Sequence, residues 1–369
     1  MKSKESKTPA EVYRRLCEAM AKRGGEYPGM DIPEFYAVAE ELFTREEAEV
    51  YLAIPRGYHP ASTVAKEMGK PEQEVAHILE TMADKGLCSA GKMGDITFYG
   101  TLAFVPGIFE FQFMRGTHTA KDKRLARLIV DYKAAVAATK APPKVTFPTT
   151  RVIPIDRKIQ AGNTIHTYDQ VAAYIEKYEP LSVSTCYCRH EAKLLDENDD
   201  CGKPNEVCMQ FGLGAQFVID RGMGRKISRE EALAILNKCE EAGLVHSTIN
   251  RQEIEWLCNC CNDHCVILKR VLAQPKPGIA FNSGFRPVID PELCTSIGIC
   301  IERCPATALT MGADNVPQVN LDRCIGCGIC ASGCPEEAIT LVERPGAQVP
   351  PIDHKALKEA IKTGQAQSE

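Results

Sequence analysis

The features of membrane, secreted and nucleic-acid-binding proteins are missing from this sequence of 369 residues. No stretch approaches the roughly 20 apolar residues that a helix needs to cross a bilayer. Residues 1–7 are mostly charged or polar and lack the apolar core of a secretory signal. A net charge of -5 gives no overall attraction to nucleic acid or to anionic lipid. We therefore expect a cytoplasmic protein without a membrane span.

The signatures of nucleotide-dependent enzymes are missing as well. Residues 212–217 and 222–225 each begin like a dinucleotide-binding loop, but neither has the third glycine or a convincing strand before it. The sequence contains no phosphate-binding P-loop, and no acid–base or nucleophile constellation can be named. These absences leave open whether the protein is an enzyme; if it is one, we expect an oxidoreductase.

Cysteine is nearly absent from the first half of the chain and dense in the second. Only Cys17 and Cys88 precede residue 186, and the other sixteen of the 18 cysteines lie between Cys186 and Cys334. Disulfides would suit a secreted protein, for which the sequence gives no sign. Clustered cysteines in a reducing compartment indicate thiolate ligands for metal, and iron–sulfur clusters are the first candidate.

Residues 286–342 contain an internal repeat with a period of 30 residues. Each copy carries a run of cysteines that ends in Cys-Pro, and Ile297 stands where the first copy should have its second cysteine. The cysteines of the two runs are Cys294, Cys300 and Cys304, then Cys324, Cys327, Cys330 and Cys334. The pattern resembles the bacterial two-cluster [4Fe–4S] ferredoxin domain, placed at the C-terminus of a multi-domain iron–sulfur protein of an anaerobe.

In that domain the fourth cysteine of each run binds the cluster of the other run, so the resemblance implies two ligand sets. The complete set, for a [4Fe–4S] cluster, is Cys304, Cys324, Cys327 and Cys330. The incomplete set is Cys294, Cys300 and Cys334. A structural zinc site fits paired CxxC motifs but not a run followed by Cys-Pro.

Three interpretations of the incomplete set remain open. It binds a [3Fe–4S] cluster, which needs only three thiolates, or a [4Fe–4S] cluster whose fourth iron takes water, a substrate or a partner's ligand. In the third interpretation the site is empty and Ile297 fills space. We favour occupancy, because an empty site would leave no chemical need for three surviving thiols.

The middle of the chain holds a second cysteine constellation that matches no standard ferredoxin or zinc-finger spacing. Most of its members lie in short polar segments, so we predict a third metal centre there, an iron–sulfur cluster or else zinc. His190 and His264 could bind the metal or tune it, and Arg189 could offset its charge. The candidate ligands are Cys188, Cys201, Cys208, Cys258, Cys260, Cys261, Cys265 and Cys186.

We predict an α+β fold with a mostly helical start and a C-terminal ferredoxin-like module of order βαββαβ. Two Pro-containing stretches, residues 140–144 and 274–278, are the linker candidates. The predicted segments are an extension (1–33), a winged-helix-like domain (34–105), a connector with a helix (106–150), a cysteine-rich middle domain (151–275), a two-cluster ferredoxin-like domain (276–345) and a tail (346–369).

The winged-helix-like domain carries the wrong charges for DNA. Its expected recognition helix, within residues 71–85, has Glu72, Glu74, Glu80 and Asp84 against Lys85 as the only cation. Phosphate contacts need lysine or arginine, so DNA is an unlikely partner and a protein-interaction or structural role is favoured.

The leading hypothesis is an iron–sulfur electron-transfer protein or subunit that passes single electrons between its ferredoxin-type clusters and a redox partner protein. The winged-helix-like and middle domains would dock that partner. The first alternative is a reductase whose middle metal centre or open-iron cluster binds a substrate. The second alternative is a redox-sensing regulator. The sequence does not indicate an oligomeric state.

Overall fold

The computed structural model describes residues 10–24, 27–139, 148–163 and 166–366. The predicted linker at 140–144 lies outside these ranges. The chain divides into two compact units, each assembled from several segments. The first unit comprises residues 1–143, 190–199 and 217–224, and the second comprises 144–189, 200–216 and 225–369.

The N-terminal part of the chain is mainly helical. Its elements, in order, are α1 (Glu11–Arg23), α2 (Pro33–Leu42), α3 (Arg45–Ala53), β1 (His59–Pro60), α4 (Ala61–Met68), α5 (Glu72–Asp84), β2 (Cys88–Met93), β3 (Ile96–Thr101), α6 (Ile108–Phe113) and α7 (Ala120–Thr139). The three strands form one antiparallel sheet in the order β1-β3-β2.

Local sequence signals explain how these helices start and pack. The Thr44 hydroxyl accepts from the Glu47 amide, and the Glu47 carboxylate accepts from the Thr44 amide, so α3 opens on the predicted capping box. The core beneath the helices is aromatic: Phe35, Phe104 and Tyr132 pack with ring centroids 5.6–6.0 Å apart. Aromatic pairs at such distances add to the stability gained from burial alone.

The rest of the chain alternates strands and helices. Its elements are β4 (Thr150–Val152), α8 (Val171–Lys177), β5 (Leu181–Thr185), α9 (Tyr187–Leu195), β6 (Glu206–Phe211), α10 (Leu213–Asp220), β7 (Arg225–Ile227), α11 (Arg229–Glu241), β8 (Val245–Ile249), β9 (Trp256–Cys260), α12 (Val266–Leu272), α13 (Pro277–Ala280), β10 (Phe285–Ile289), α14 (Ile299–Glu302), β11 (Leu309–Met311), β12 (Pro317–Val319), α15 (Ile329–Ser332), β13 (Ile339–Glu343) and α16 (His354–Ala366). Single turns of 3₁₀ helix lie at Asp156–Lys158 and Thr167–Asp169.

Six strands of the second unit form one sheet in the order β4-β8-β9-β6-β5-β7, and every pairing between neighbours is antiparallel. Met209 of β6 pairs with Leu257 of β9, which brings Cys208 across from Cys258. Ser247 of β8 pairs with Cys258 from the other side. The middle of the sheet therefore carries cysteines on adjacent strands.

The C-terminal elements follow the order strand, helix, strand, strand, helix, strand. β10 pairs with β13 and β11 with β12, both antiparallel. Each cysteine run leads into one of the four-residue helices, α14 or α15. Helices combined with antiparallel sheets make this an α+β fold, as predicted. Within the described ranges, none of the helices combines the length and apolar character needed to cross a membrane.

Candidate metal centres

Four cysteines of the C-terminal region surround one small cavity, which we call the interior site. The cavity has a volume of about 310 Å³, and its cysteines are Cys304, Cys324, Cys327 and Cys330. Proline, alanine, leucine and isoleucine side chains complete the wall. Four sulfur donors around an apolar void are the ligand set that an iron–sulfur cluster requires.

The interior site is deeply buried, and this changes the chemistry of its thiols. Burial is the largest effect on Cys324, Cys327 and Cys330 and raises the pKa of each. Thiols with raised pKa values stay protonated at neutral pH unless a metal supplies compensating positive charge. Binding iron would therefore release protons from these thiols, and it would at the same time stabilise the folded chain.

Backbone groups complete the interior site. The amide of Ala308 donates to the Cys304 sulfur at 3.3 Å. Gly326 has φ of +68°, and a Cβ there would clash with the carbonyl oxygen of Phe285. Ser283 holds the same turn, because its hydroxyl donates to the Gly326 carbonyl at 2.6 Å. Only glycine fits at position 326, for reasons of both angle and space.

The second cavity, which we call the Ile297 site, is lined by the other three cysteines of the runs. It measures about 350 Å³, and Cys294, Cys300, Cys334 and Ile297 share its wall. Cys300 is buried, whereas Ile297 is exposed. Three sulfur donors thus face a cavity whose fourth corner is an isoleucine at the surface of the second unit.

The two sites adjoin each other inside the same fold. Cys300 of the Ile297 site and Cys330 of the interior site belong to one buried apolar group with Ala331 and Ile339. Cys304 and Cys334, one from each ligand set, pack against this group. The side chains between the two sets of thiols are therefore apolar, which suits electron exchange between the sites.

Comparison with known families agrees with this geometry. The model of the family described as "4Fe-4S dicluster domain" matches residues 286–351. This segment is an iron–sulfur, ferredoxin-like domain. It carries at least one iron–sulfur cluster, and electron transfer is the general role of such a domain. No curated protein matches the chain.

The core of the ferredoxin-like domain continues into the middle of the chain. Cys324 and Cys327 of the interior site share one buried cluster of side chains with Cys260 and Cys265. We call this cluster the shared core; it also contains Val152, Ile155, Val245, Leu268, Val271, Phe281, Ala306, Ala308, Ile325 and Ile329. The Arg303 guanidinium also joins the ferredoxin-like domain to the middle of the chain, because it donates to the carbonyls of Glu240 and Glu241 at the end of α11.

Five middle cysteines are linked by a chain of contacts and form what we call the five-sulfur group. The sulfurs of Cys260 and Cys265 are 3.2 Å apart. Hydrogen bonds also link Cys188 to Cys265, and Cys258 to both Cys208 and Cys260. The sheet supplies Cys208, Cys258 and Cys260, and the starts of α9 and α12 supply Cys188 and Cys265.

Hydrogen bonding divides the five-sulfur group into donors and acceptors. Cys258 accepts from Cys208 and Cys260, which lowers its pKa well below the usual value. Hydrogen bonds with Cys188 and Cys260 likewise hold the pKa of Cys265 well below its usual value. The Leu268 amide also donates to the Cys265 sulfur at 3.4 Å. The same contacts raise the pKa of Cys188 and Cys260 well above the usual value, so the group combines two sulfurs that favour the thiolate with two that favour the thiol.

Three further donors meet beside this group, at what we call the Cys201 site. The ligand atoms of Cys201, Cys261 and His264 all lie within 4.8 Å of one another. The Cys261 sulfur is 3.8 Å from His264 Nδ1 and accepts from the His264 amide at 3.4 Å. Cys261 is buried, and the other two residues are partly exposed.

Arg189 lies buried among these sulfurs. It hydrogen-bonds Cys261, and its charge acts on Cys186 and Cys201 as well. Burial opposes the charged form of the guanidinium, yet the sulfurs outweigh this effect and raise its pKa. A buried cation requires anionic neighbours, and the described residues offer it no carboxylate within ion-pair distance. Among these sulfurs, Cys261 has a pKa lowered by its contacts with His264 and Arg189, whereas burial raises the pKa values of Cys186 and Cys201.

Two other candidates from the sequence, His190 and Cys186, belong to neither the five-sulfur group nor the Cys201 site. His190 Nε2 donates to the Thr117 carbonyl at 2.8 Å and its ring packs edge-on against His118, the ordinary state of a hydrogen-bonded histidine. Cys186 packs with Cys239 and Cys261 in a small apolar group. His264 was not among the first candidate ligands, although its Cys-x-x-His spacing after Cys261 was a usable signal.

Proposed function

We propose that the chain passes single electrons between a redox partner protein and a metal centre in its own middle region. The observation that carries the proposal is the continuity of the sulfur sites. The Ile297 site adjoins the interior site through one apolar group, and the interior site adjoins the five-sulfur group through the shared core. Iron–sulfur clusters at these thiols would supply the one-electron chemistry.

The interior site is the complete member of this series and is proposed to hold a [4Fe–4S] cluster. Its thiols are Cys304, Cys324, Cys327 and Cys330. Their role is to hold the irons, and the role of the surrounding apolar side chains is to exclude water. Its contacts with both neighbouring groups give this site the middle position in the series.

The Ile297 site is proposed as the point of electron exchange with the partner. Its wall includes two exposed apolar side chains, Ile297 and Ile299, beside the polar Thr295, Ser296 and Glu336. Apolar residues around a redox centre suit a transient protein contact, in which a small interface must bring two centres close. Three thiolates allow a three-iron cluster, or a four-iron cluster with one iron open to an outside ligand.

The five-sulfur group is proposed to hold the third centre, an iron–sulfur cluster rather than zinc. Structural zinc binds four ligands in a tetrahedron, whereas a chain of contacts links five sulfurs here. A polynuclear iron centre can use such a number. Its thiols are Cys188, Cys208, Cys258, Cys260 and Cys265, and the charge of Arg189 favours the thiolate of Cys258.

Residues 34–105 are proposed to form a winged-helix-like module that binds protein rather than DNA. Lys85, the one cation of the expected recognition helix, pairs with Glu47 at 2.6 Å. Arg221 pairs with Glu80 and Asp84 at 2.7 and 2.8 Å. These two cations are therefore already paired with carboxylates of the first unit, and phosphate would meet an acidic helix.

The decisive experiment is anaerobic purification followed by iron and sulfide counting and electron paramagnetic resonance during stepwise reduction. We expect signals from more than one cluster. Cys324→Ala should remove about four irons and the signal of the interior site. Cys17→Ala, a buried cysteine of α1 in the first unit, is the matched control and should leave the iron count unchanged.

Finding only zinc, or a single four-iron cluster per chain, would exclude the proposed series of centres. The regulator alternative has a separate test, which is retention on DNA at low salt. Because phosphate contacts weaken steeply with salt, a true DNA-binding module would elute as the salt concentration rises. We expect no retention even at low salt.

A further inference from the structure

The Cys201 site differs from the five-sulfur group in two ways. It includes a histidine, and its Cys261 side chain points away from that of Cys260. β9 ends at Cys260, and successive residues of an extended chain point to opposite sides. Cys260 contacts the five-sulfur group, whereas the neighbouring Cys261 contacts His264 and lies with Cys201. Cys260 and Cys261 are adjacent in sequence but thus belong to two different groups of donors.

The spacing of the donors matches a mononuclear metal. With zinc–sulfur and zinc–nitrogen bonds of about 2.3 and 2.0 Å, a tetrahedral site separates sulfur from nitrogen by about 3.5 Å. Cys261 Sγ and His264 Nδ1 are 3.8 Å apart. Two cysteine sulfurs with one imidazole nitrogen are also a donor set that zinc binds, whereas the five-sulfur group contains sulfur alone.

Contacts on the Cys201 site hold two of its donors in place. The His264 amide donates to the Cys261 sulfur at 3.4 Å, which fixes the histidine and the cysteine beside each other. The buried Arg189 side chain lies against the Cys261 sulfur, and its Nη1 donates to the Asn259 carbonyl at 3.2 Å.

We propose that Cys201, Cys261 and His264 bind one divalent transition-metal ion, zinc foremost, at a site separate from the iron–sulfur centres. Three protein donors leave a fourth position for water or a small ligand, the arrangement of catalytic rather than structural zinc sites. Cys201 and His264 are partly exposed, so this position is reachable from solvent. The proposal does not depend on how many iron–sulfur clusters the chain carries.

The test measures zinc and iron together in the full chain purified anaerobically. We expect about one zinc per chain, reduced to background in Cys201→Ser and His264→Ala with the iron count unchanged. Cys265→Ser should have the opposite effect, losing iron while keeping zinc. Cys239→Ala is the matched control: Cys239 is buried beside Cys261 but belongs to neither set, and its replacement should change neither metal.

A donor exchange covers the case in which His264→Ala fails to fold. His264→Cys should keep the metal, and after replacement of zinc by Co²⁺ its thiolate-to-cobalt absorption should exceed that of the unaltered chain. Equal absorption would overturn the proposal. So would loss of iron instead of zinc in Cys201→Ser, or an unaltered chain that contains no zinc and binds no Co²⁺.

Discussion

Ile297 and Cys327 occupy equivalent positions in the two cysteine runs, yet the isoleucine is 51% exposed and the cysteine 9%. One lies on the wall of the Ile297 site and the other on that of the interior site. The two copies of the repeat thus share one backbone arrangement. The first copy has no metal ligand at its surface position, Ile297, whereas the second has one at the matching position in the core, Cys327.

Replacing Ile297 with cysteine should supply a fourth thiolate to the Ile297 site. A three-iron signal in the electron paramagnetic resonance spectrum should give way to a four-iron signal, with a gain of about one iron per chain. Val288→Cys is the control, because it adds a thiol at an exposed position of β10 outside that cavity. An unchanged spectrum, together with a freely titratable new thiol at position 297, would mean that the site binds no cluster.

Gly326→Ala should disrupt the interior site, and Gly298→Ala should be far milder. Both glycines have positive φ, of +68° and +78°, which costs an alanine about 1–2 kcal/mol. At Gly298 a Cβ meets nothing within 4 Å, whereas at Gly326 it would lie 2.5 Å from Ser283 Oγ and closer still to a backbone oxygen. Thermal unfolding and iron content of the two variants measure the difference. Equal losses of stability and iron in the two variants would show that the positive φ, and not the clash of the added Cβ, causes the effect.

Arg221→Met should destabilise the first unit in a pH-dependent way. Burial alone would raise the pKa of Glu80, but hydrogen bonds from Arg221 and Tyr99 outweigh it and hold that pKa below its usual 4.5. A carboxylate with a lowered folded-state pKa contributes stability above its unfolded value and loses it as the pH falls through the folded value. Because Glu80 is substantially exposed, we expect a loss of only about 1 kcal/mol at pH 7.

That loss should shrink as the pH falls below the unfolded pKa of Glu80. Urea unfolding of both chains between neutral and acidic pH measures it. Arg14→Met is the control, since Arg14 makes an exposed pair with Glu11 at 3.7 Å and its loss should have no measurable effect. A constant difference between Arg221→Met and the unaltered chain at all pH values would contradict the ion-pair explanation.

Arg189→Met should lower the reduction potential of the proposed centre at the five-sulfur group, roughly by tens of millivolts. The guanidinium stabilises negative charge on nearby sulfurs, and reduction adds negative charge. Arg189→Lys keeps the charge and should retain most of the potential. Potentiometric titration followed by electron paramagnetic resonance makes the comparison. Identical potentials in all three chains would remove Arg189 from any tuning role.

The resemblance to two-cluster ferredoxins implied the two ligand sets, and local spacing explains the part of each set that lies in one run. Cys324, Cys327 and Cys330 lie within one short loop of chain, so their convergence needs no knowledge of distant contacts. The capping box of α3 was equally local. Pattern and resemblance were sufficient for the α+β class and for the iron–sulfur character of the C-terminal region.

The division of the middle cysteines could not be predicted in the same way. Cys208 and Cys258 are 50 residues apart, and only the register of β6 with β9 places them side by side. The separation of Cys260 from Cys261 depends on where β9 ends, and strand ends are poorly marked in sequence. The assignment of residues 190–199 and 217–224 to the first unit is likewise a long-range property of the fold.

The contrast in burial between the two ferredoxin-like sites bears on how the protein would be assembled in the cell. Iron reaching the Ile297 site could be delivered, lost and replaced in the finished fold. At the interior site, delivery must precede closure of the shared core, because Cys324 and Cys327 are sealed there with Cys260 and Cys265. We therefore expect the cluster of the interior site to be inserted before the shared core closes, and a cluster lost from the Ile297 site to be replaced more easily.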